Sequence, residues 1–446
     1  MTRPEATVED ILGLLPDLDD LEVLRLRLYA AAVRDPEKEW DSSDDFTTID
    51  KRIVSPEGTV RALDEARQAL HAYVDGLHAG LLPLFESFFA DDRDATARHL
   101  VALGERLEAS GRVTSARRCY RAALEASFPL TDKGPQVLAL RRIARVSLHL
   151  GDFEEAVSYY ERSAEMARDS GNVHGEVVAH TGNGNVRLWQ GRWAEAEQCY
   201  REALALADAA GAGELTLERG QIYNNLGNLT TRLERLEESE GWFELALQVW
   251  ETHTSPEDHA ICLHNLGNLR EAQGRWDEAR RSYEGALKLP ASSAVRSIIA
   301  ADYAEWWLHE GHLTQAAEYG RVAEEHAIAA SSPYTLGHMY LGRGKIARAL
   351  GKADGFTFFE KALEIARNKG YPFLEAETLV EYAPLRAHDG GEEAVAFLER
   401  ACEILRALGA VGELERAKAA LEELRAGAGD LSTYPAGETP LAAAGD

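Results

Sequence analysis

The sequence repeats one short polar phrase, Asn-Leu-Gly-Asn, at Asn225–Asn228 and again at Asn265–Asn268. Asn224 and His264 directly precede the two phrases. In an earlier segment, Asn185 follows Gly184 as Asn228 follows Gly227. An asparagine amide carries both a donor and an acceptor, so a row of amides can pair with the main chain of an extended peptide. The same side chains could instead bond a neighbouring helix and stabilise the fold. The sequence leaves both interpretations open.

Charged residues flank this row of amides. Arginines come before it along the chain and acidic residues come after it: Arg141, Arg142, Arg145, Asp302 and Glu305. Three arginines within five residues can receive a carboxylate of a ligand through charge-assisted hydrogen bonds, or they can pair with acidic neighbours such as Glu105. Because packing does not require such a change of charge, we interpret the whole set as a candidate binding surface.

Signals for catalysis or metal binding are weak. His253, His259 and His264 lie near one another in the sequence, but no HExxH pattern and no His/Cys pairing at ligand spacing accompanies them. The GNGN stretch at 182–185 lies in the middle of an expected helix, which is not the setting of a phosphate-binding loop. We therefore assign no catalytic residue and expect no metal and no cofactor.

These polar residues belong to a unit that recurs along the chain. The segment LWQGRWAEAEQCYREAL around Gly191 has counterparts around Gly111, Gly151, Gly274, Gly311, Gly351 and, more weakly, Gly390, and one further copy has Glu234 in place of the glycine. Successive turn positions are 37 to 43 residues apart, which gives eight copies over residues 93–410. Each copy has two apolar runs of helical period on either side of the turn. This pattern predicts helical hairpins whose turn glycine adopts a positive φ.

Small residues recur where the two helices of a copy must approach each other. Seven residues before the turn stand Gly184, Gly227, Gly267 and Gly344, and five residues after it stand Ala116, Ala196, Ala279 and Ala316. An aromatic residue follows four positions later, at Tyr120, Tyr160, Tyr200, Phe243 and Tyr283. We expect these rings to fill the gap to the next hairpin.

This pattern resembles the tetratricopeptide repeat. The family's pattern of Leu-Gly, then Ala, an aromatic residue and Ala, matches Leu266-Gly267, Ala279, Tyr283 and Ala286. The resemblance covers about seven-tenths of the chain, with a repeat of about 40 residues instead of the usual 34 or so. Long-repeat members such as kinesin light chain, the Leu-Gly-Asn spindle adaptors and bacterial peptide-sensing regulators are similar in this respect.

The resemblance implies an all-α, right-handed superhelical solenoid of antiparallel hairpins, with the first helix of each hairpin lining a concave face. It also implies that residues around the Leu-Gly pair hold a peptide backbone. The peptide-binding groove so defined consists of Arg141, Arg142, Arg145, Asn185, Asn224, Asn225, Asn228, His264, Asn265, Asn268, Asp302 and Glu305.

The two ends of the chain depart from the repeat. Residues 1–92 contain helical patterns at 19–34 and 56–89, and they form either an N-terminal helical cap, which solenoid ends need, or a separate dimerisation or effector segment. Residues 411–426 predict a C-terminal capping helix with a polar outer face. The tail at 427–446 is rich in Gly, Ala and Pro and is expected to be disordered.

Composition narrows the possible partners. The chain has 75 acidic and 48 basic residues and a net charge of −27, so phosphate backbones and anionic membranes repel it. We expect no nucleic-acid partner and no membrane. The N-terminus lacks the pattern of a signal peptide and no apolar run reaches membrane-spanning length, so the expected location is cytoplasmic. Low Met and Lys with abundant Ala, Arg and Gly suggests a bacterial source. The sequence does not indicate an oligomeric state.

Our first functional hypothesis is an adaptor or regulatory subunit that binds an extended peptide or protein segment in the concave groove. The second is a ligand-responsive peptide sensor that controls an effector through its N-terminal segment. An enzyme with an unrecognised site is the third and weakest.

Overall fold

The computed structural model describes residues 84, 87, 92–109, 112–211, 213–253, 255–352, 355–387 and 391–426. The hypotheses on the N-terminal segment and on the tail at 427–446 fall outside these residues and stay predictions. All regular secondary structure in the described residues is helical, which confirms the all-α fold class. None of the helices in this part of the chain combines the length and the apolar character that crossing a bilayer requires.

The chain divides into two compact units, Met1–Val146 and Ser147–Asp446, which we call unit 1 and unit 2. Unit 1 contains α1 (Arg93–Ala109), α2 (Val113–Ser127) and most of α3 (Gly134–His149). Gly104 on α1 lies so close to the ring of Tyr120 that a Cβ there would clash with it. The Tyr120 hydroxyl donates to Glu108 over 2.9 Å, and the side chain of Gln136 donates to the carbonyl of Ser127 over 2.7 Å. These contacts join the three helices.

Unit 2 continues as helical hairpins from α4 (Phe153–Asp169) onwards. The first helices of successive hairpins are α5 (Val173–Trp189), α7 (Thr216–Arg232), α9 (Pro256–Ala272), α11 (Ser293–His309), α13 (Pro333–Ala349) and α15 (Pro372–Arg386). The second helices are α6 (Trp193–Ala209), α8 (Leu236–Thr252), α10 (Trp276–Lys288), α12 (Leu313–Ala330), α14 (Gly355–Lys369) and α16 (Glu392–Leu408). A last helix, α17 (Val411–Arg425), follows them.

Two turns show how the chain reverses between the helices of a hairpin. At Gly191 φ is +73°, and backbone bonds run from Gly191 N–H to Leu188 O (3.1 Å) and from Arg192 N–H to Arg187 O (2.8 Å). Such bonds satisfy carbonyls that the end of a helix leaves open. Glu234 makes the same turn with φ at +57°, a conformation that strains a residue with a Cβ.

Within a hairpin, a glycine on the first helix lies against an aromatic ring on the second. A Cβ on Gly267 would lie 2.5 Å from the fully buried ring of Tyr283. The same pairing recurs for Gly184 with Tyr200, Gly227 with Phe243 and Gly344 with Phe359. The rings also reach the next hairpin, as the sequence predicted. Phe243 packs in one cluster with Cys262 and Leu266 of α9, and the ring of Tyr283 lies 5.8 Å from that of Tyr303 on α11. Tyr160 likewise lies against Gly182 of the next hairpin.

The first helices form the inner layer of unit 2. Each of α5, α7, α9, α11 and α13 packs against the next first helix, and α15 packs against α17, whereas successive second helices in the described residues share no comparable contact. A stack whose helices are closer together in one layer curves towards that layer. We call the surface of these first helices the inner face.

Candidate functional site

The predicted groove residues fall in both units. Arg141, Arg142 and Arg145 lie on α3 within unit 1, and the other nine lie on first helices of unit 2. Asn185 is on α5, Asn224, Asn225 and Asn228 are on α7, His264, Asn265 and Asn268 are on α9, and Asp302 and Glu305 are on α11. We therefore describe the arginines separately from the inner face.

Two of the arginines pair with acidic residues of α1. Arg142 forms an ion pair with Glu105, and Arg145 forms one with Glu108 over 2.7 Å. Pairing with acidic neighbours was one of the two roles that the sequence left open, and it is present here. Arg141 lies beside them on the same helix.

Two of the amides are buried between neighbouring hairpins. Asn265 donates its side-chain N–H to Oδ1 of Asn224 over 3.1 Å, and the two residues are only 8% and 7% exposed. A buried amide without a partner would cost about 1–3 kcal/mol, so each amide stabilises the stack by satisfying the other. This pair therefore bonds neighbouring helices, which is the structural role that the sequence left open. Little of either side chain is accessible to a ligand.

Three other amides are only half-buried and keep polar groups available. Asn185 Oδ1 accepts from the Tyr200 hydroxyl (2.7 Å) and from Asn225 Nδ2 (3.0 Å), and Asn228 Oδ1 accepts from Arg232 Nε (3.3 Å). Within the described residues, no hydrogen bond reaches the side-chain N–H groups of Asn185 and Asn228 or the Oδ1 of Asn225. These are two NH2 donor groups and one acceptor oxygen on the inner face.

Asp302 is the centre of a hydrogen-bonded cluster on three helices. His264 Nε2 lies 2.6 Å from its Oδ2, Asn268 donates to the same oxygen over 3.2 Å, and His338 Nε2 lies 3.4 Å from its Oδ1. The Tyr283 hydroxyl donates to Asn268 over 2.6 Å and orients that amide. Burial alone would raise the pKa of Asp302, but His338, His264 and Asn268 outweigh it and hold the pKa well below its usual range.

Beyond Asp302 the inner face carries ion pairs that link successive first helices. Lys345 on α13 donates to Glu305 over 2.7 Å, and Glu381 on α15 pairs with Arg348 over 2.6 Å and with Arg416 over 3.5 Å. Burial works to raise the pKa of Glu381, but the three cations around it lower the pKa to about 2. Most of these residues are absent from the predicted groove. The repeat register does point to Lys345, because it follows Gly344 as Asn228 follows Gly227.

Glu377 is the exception among the inner-face acids of α15. It makes no ion pair or hydrogen bond within the described residues. Burial raises its pKa to about 7; the acids Glu413 and Glu305 add to this rise, while Lys345 and Arg232 oppose it. Near neutral pH this carboxyl is therefore divided between its charged and neutral forms. No repeat position singled it out in the sequence.

Comparison with known protein families identifies the type of repeat that these hairpins form. Residues 136–209 and 218–291 match one family model of the tetratricopeptide repeat, and residues 181–253 and 264–333 match a second model of the same repeat. This chain contains tetratricopeptide repeats over residues 136–333. All twelve predicted groove residues lie within the matched part of the tetratricopeptide array.

The tetratricopeptide repeats of this protein are similar to those of known proteins. A kinesin light chain-related protein (KINESIN LIGHT CHAIN-RELATED 3) of Arabidopsis thaliana is 30% identical over 156 residues, which is 34% of this chain and 24% of that protein. The chain thus spans about a quarter of the length of this curated relative.

Solved structures with a similar fold include BtubC (BKLC) from P. vanneervenii, at 19% identity and a TM-score of 0.41 over 48% of this chain and 88% of that chain. Another is the apo form of the quorum sensor NprR from B. thuringiensis, at 14% identity and a TM-score of 0.42 over 74% of this chain and 98% of that chain. At these identities the likeness is one of fold.

Proposed function

We propose that the inner face of unit 2 binds an extended segment of a partner protein or a peptide. The observation that carries the proposal is the set of half-buried amides Asn185, Asn225 and Asn228, whose remaining donors and acceptor have no partner among the described residues. An extended peptide presents N–H and C=O groups at regular intervals, and amide side chains can bond both. Solenoids of this kind use their concave surface for binding.

The charge of the protein favours a basic or neutral segment. The net charge of −27 attracts cationic chains over long range and repels acidic ones. On the inner face, Glu377 is a carboxyl without a direct partner in the described residues, and a cation from the ligand would lower its pKa. Asp302 and Glu305 attract a ligand cation less strongly, because His264 and Lys345 already pair with their carboxylates.

The test uses a substitution that removes the amide donor and keeps the shape of the side chain, with a control for the added charge. Asn228→Asp keeps the oxygen that accepts from Arg232 and replaces the N–H donor that faces the ligand. The matched control is Asn368→Asp, because Asn368 is an exposed asparagine on the second helix α14 and takes the same change of charge.

Partners are isolated from a cell extract with the wild-type chain, and the bound segment is identified by cross-linking and proteolysis. A peptide of that sequence is then titrated against each variant by fluorescence anisotropy. We expect Asn228→Asp to weaken binding about tenfold or more, the effect of losing one good hydrogen bond, and Asn368→Asp to leave it unchanged. Equal affinity of both variants would move the binding surface away from the inner face.

A further inference from the structure

Two distant parts of unit 2 contact each other through stacked aromatic rings. Trp189, at the end of α5, lies face to face with Tyr334 at the start of α13, with ring centroids 4.8 Å apart. Both rings also meet the edge of Tyr371, at 6.0 and 5.3 Å. Next to them, Trp193 packs on Phe373 at 5.6 Å. These helices are not neighbours in the stack.

The backbone takes part in the same contact. Lys369 donates its ammonium group to the carbonyl of Leu150 over 2.7 Å. Gly191 lies against Leu408 and Pro372, so a Cβ at that turn would clash with both. The turns of early hairpins therefore meet the loops between late hairpins.

A third point of contact accounts for an irregularity of the repeat. Glu234 holds the strained turn position that glycine holds elsewhere, and its carboxylate lies directly over Gly412 in the first turn of α17. Any side chain at Gly412 would occupy the position of that carboxylate. We call the three contact points together, from Leu150 to Glu234 on one side and from Tyr334 to Gly412 on the other, the clasp.

The clasp joins opposite edges of the stack of hairpins. One edge carries the turns within hairpins, and the other carries the loops between them. Contact between the two edges means that the superhelix has completed a turn and stacks on itself, which fixes its pitch. The clasp thereby brings the late first helices to face the early ones, across the inner face.

The clasp is less well packed than the hairpin cores. The hydroxyl of Tyr371 is buried, on a residue only 1% exposed, and it has no hydrogen-bond partner in the part of the chain that the structure describes. Trp189 and Phe373 remain partly exposed. A buried polar group without a partner disfavours the closed arrangement, because opening would hydrate it.

One side chain connects the clasp to the amides proposed to bind the ligand. The guanidinium of Arg232 lies 4.6 Å from the ring centre of Phe373, and its Nε donates to Oδ1 of Asn228. Arg232 orients the Asn228 amide, whose remaining N–H donors are the groups proposed to bond the ligand. Binding on the inner face and closure of the clasp therefore act on the same group.

We infer that the clasp is a separable contact that holds the superhelix of unit 2 closed and controls access to its inner face. The described cores between α7 and α13 contain neither Trp189 nor Tyr334, so the hairpins there keep their packing when the clasp opens. A ligand that prefers the open form shifts the protein towards it. The role of the clasp in ligand access rests on the proposed function, whereas its opening does not.

The experiment measures access to the inner face without any ligand. Asn225→Cys reports on the inner face and Asn368→Cys reports on the exposed side of α14, both in a chain with Cys199→Ser; the other cysteines are buried. Each reporter is labelled with a maleimide attached to a polyethylene glycol chain. The labelling rate is compared between the protein with an intact clasp and the clasp variant Trp189→Ala/Phe373→Ala.

A matched control removes the same two residue types from contacts between neighbouring helices. Trp276 stacks on His309 at 3.6 Å, and Phe358 stacks on Tyr340 at 6.3 Å. Trp276→Ala/Phe358→Ala therefore removes comparable aromatic area and leaves the clasp intact. Gly412→Leu is a second clasp variant that deletes no side chain, and its control is Gly241→Leu, at a helical glycine with open space around it.

We expect both clasp variants to speed labelling at position 225 at least tenfold and to leave labelling at position 368 unchanged, with helicity retained by circular dichroism. The controls should change neither rate. An unchanged rate at 225 in both folded clasp variants, or an equal rise at 225 and 368, would overturn the inference. If the clasp variants open but no peptide binds to the inner face, the inference about the clasp holds and only the proposed function is contradicted.

Discussion

Asn265 donates its side-chain amide to Asn224 across two successive first helices, with 3.1 Å between nitrogen and oxygen. The two residues occupy different positions in their own repeats, so the bond is diagonal between α9 and α7. Both are buried, while Asn228 on the same face of α7 is partly exposed. One repeated phrase thus supplies both a structural bond and an accessible polar group.

Replacing Asn265 therefore affects stability, and replacing Asn228 affects binding. Asn265→Ala leaves the Asn224 carbonyl oxygen buried without its donor, and we expect a loss of about 1–3 kcal/mol in the free energy of unfolding. Asn228→Ala should change it by no more than about 0.5 kcal/mol. Urea unfolding followed by circular dichroism measures both. Equal losses would show that the two amides play the same role.

Removing the carboxylate at the centre of the inner face should destabilise unit 2. Asp302→Asn replaces the carboxylate that His264 and His338 share with a neutral amide that has one accepting oxygen, and we expect a loss of about 2–4 kcal/mol at pH 7. Because the folded protein lowers the pKa of Asp302, this contribution is complete above the unfolded pKa of about 4 and is lost as the pH falls towards the folded value.

The measurement is the unfolding midpoint of Asp302→Asn and of wild type between pH 7 and pH 3. Asp277→Asn, at an exposed aspartate of α10, controls for the change in net charge. A difference between Asp302→Asn and wild type that stays constant down to pH 3 would contradict the lowered pKa.

Glu377 should have the opposite dependence on pH. Its pKa rises to about 7 on folding, so its contribution to stability is complete below the unfolded pKa and is lost as the pH rises towards 7. Glu377→Gln removes this loss, and we expect the variant to be more stable than wild type by about 1–3 kcal/mol at pH 8. At pH 5 most of that advantage should be gone.

Thermal unfolding at the two pH values tests this expectation. Glu364→Gln on the exposed side of α14 serves as the control and should show no such dependence. An advantage of Glu377→Gln that is equal at pH 5 and pH 8 would argue for improved packing instead of a removed charge.

The glycine inside a hairpin should be intolerant of any side chain. Gly267→Ala places a methyl group 2.5 Å from the rigid, buried ring of Tyr283, and we expect a loss of about 1–3 kcal/mol from overpacking. Gly241→Ala has open space around it in the middle of α8 and should gain about 0.5–1 kcal/mol from helix propensity. Opposite signs in urea unfolding would confirm this, and a stabilising Gly267→Ala would refute it.

The sequence by itself determined the repeat and the helical hairpins. Helical period, turn glycines and the spacing of Gly267 from Tyr283 are local features, because each depends on residues within one repeat. The resemblance to tetratricopeptide repeats rested on the same local pattern. This local pattern was therefore sufficient to predict the fold class.

Only the tertiary structure decided which polar groups are available and where the superhelix meets itself. Whether an amide is satisfied depends on the register between successive hairpins, so the sequence could not separate Asn265, bonded to Asn224, from Asn228. The clasp between Trp189 and Tyr334 depends on the pitch of the superhelix. The pitch is the accumulated result of small rotations between successive hairpins, and it cannot be predicted from the pattern within a single repeat.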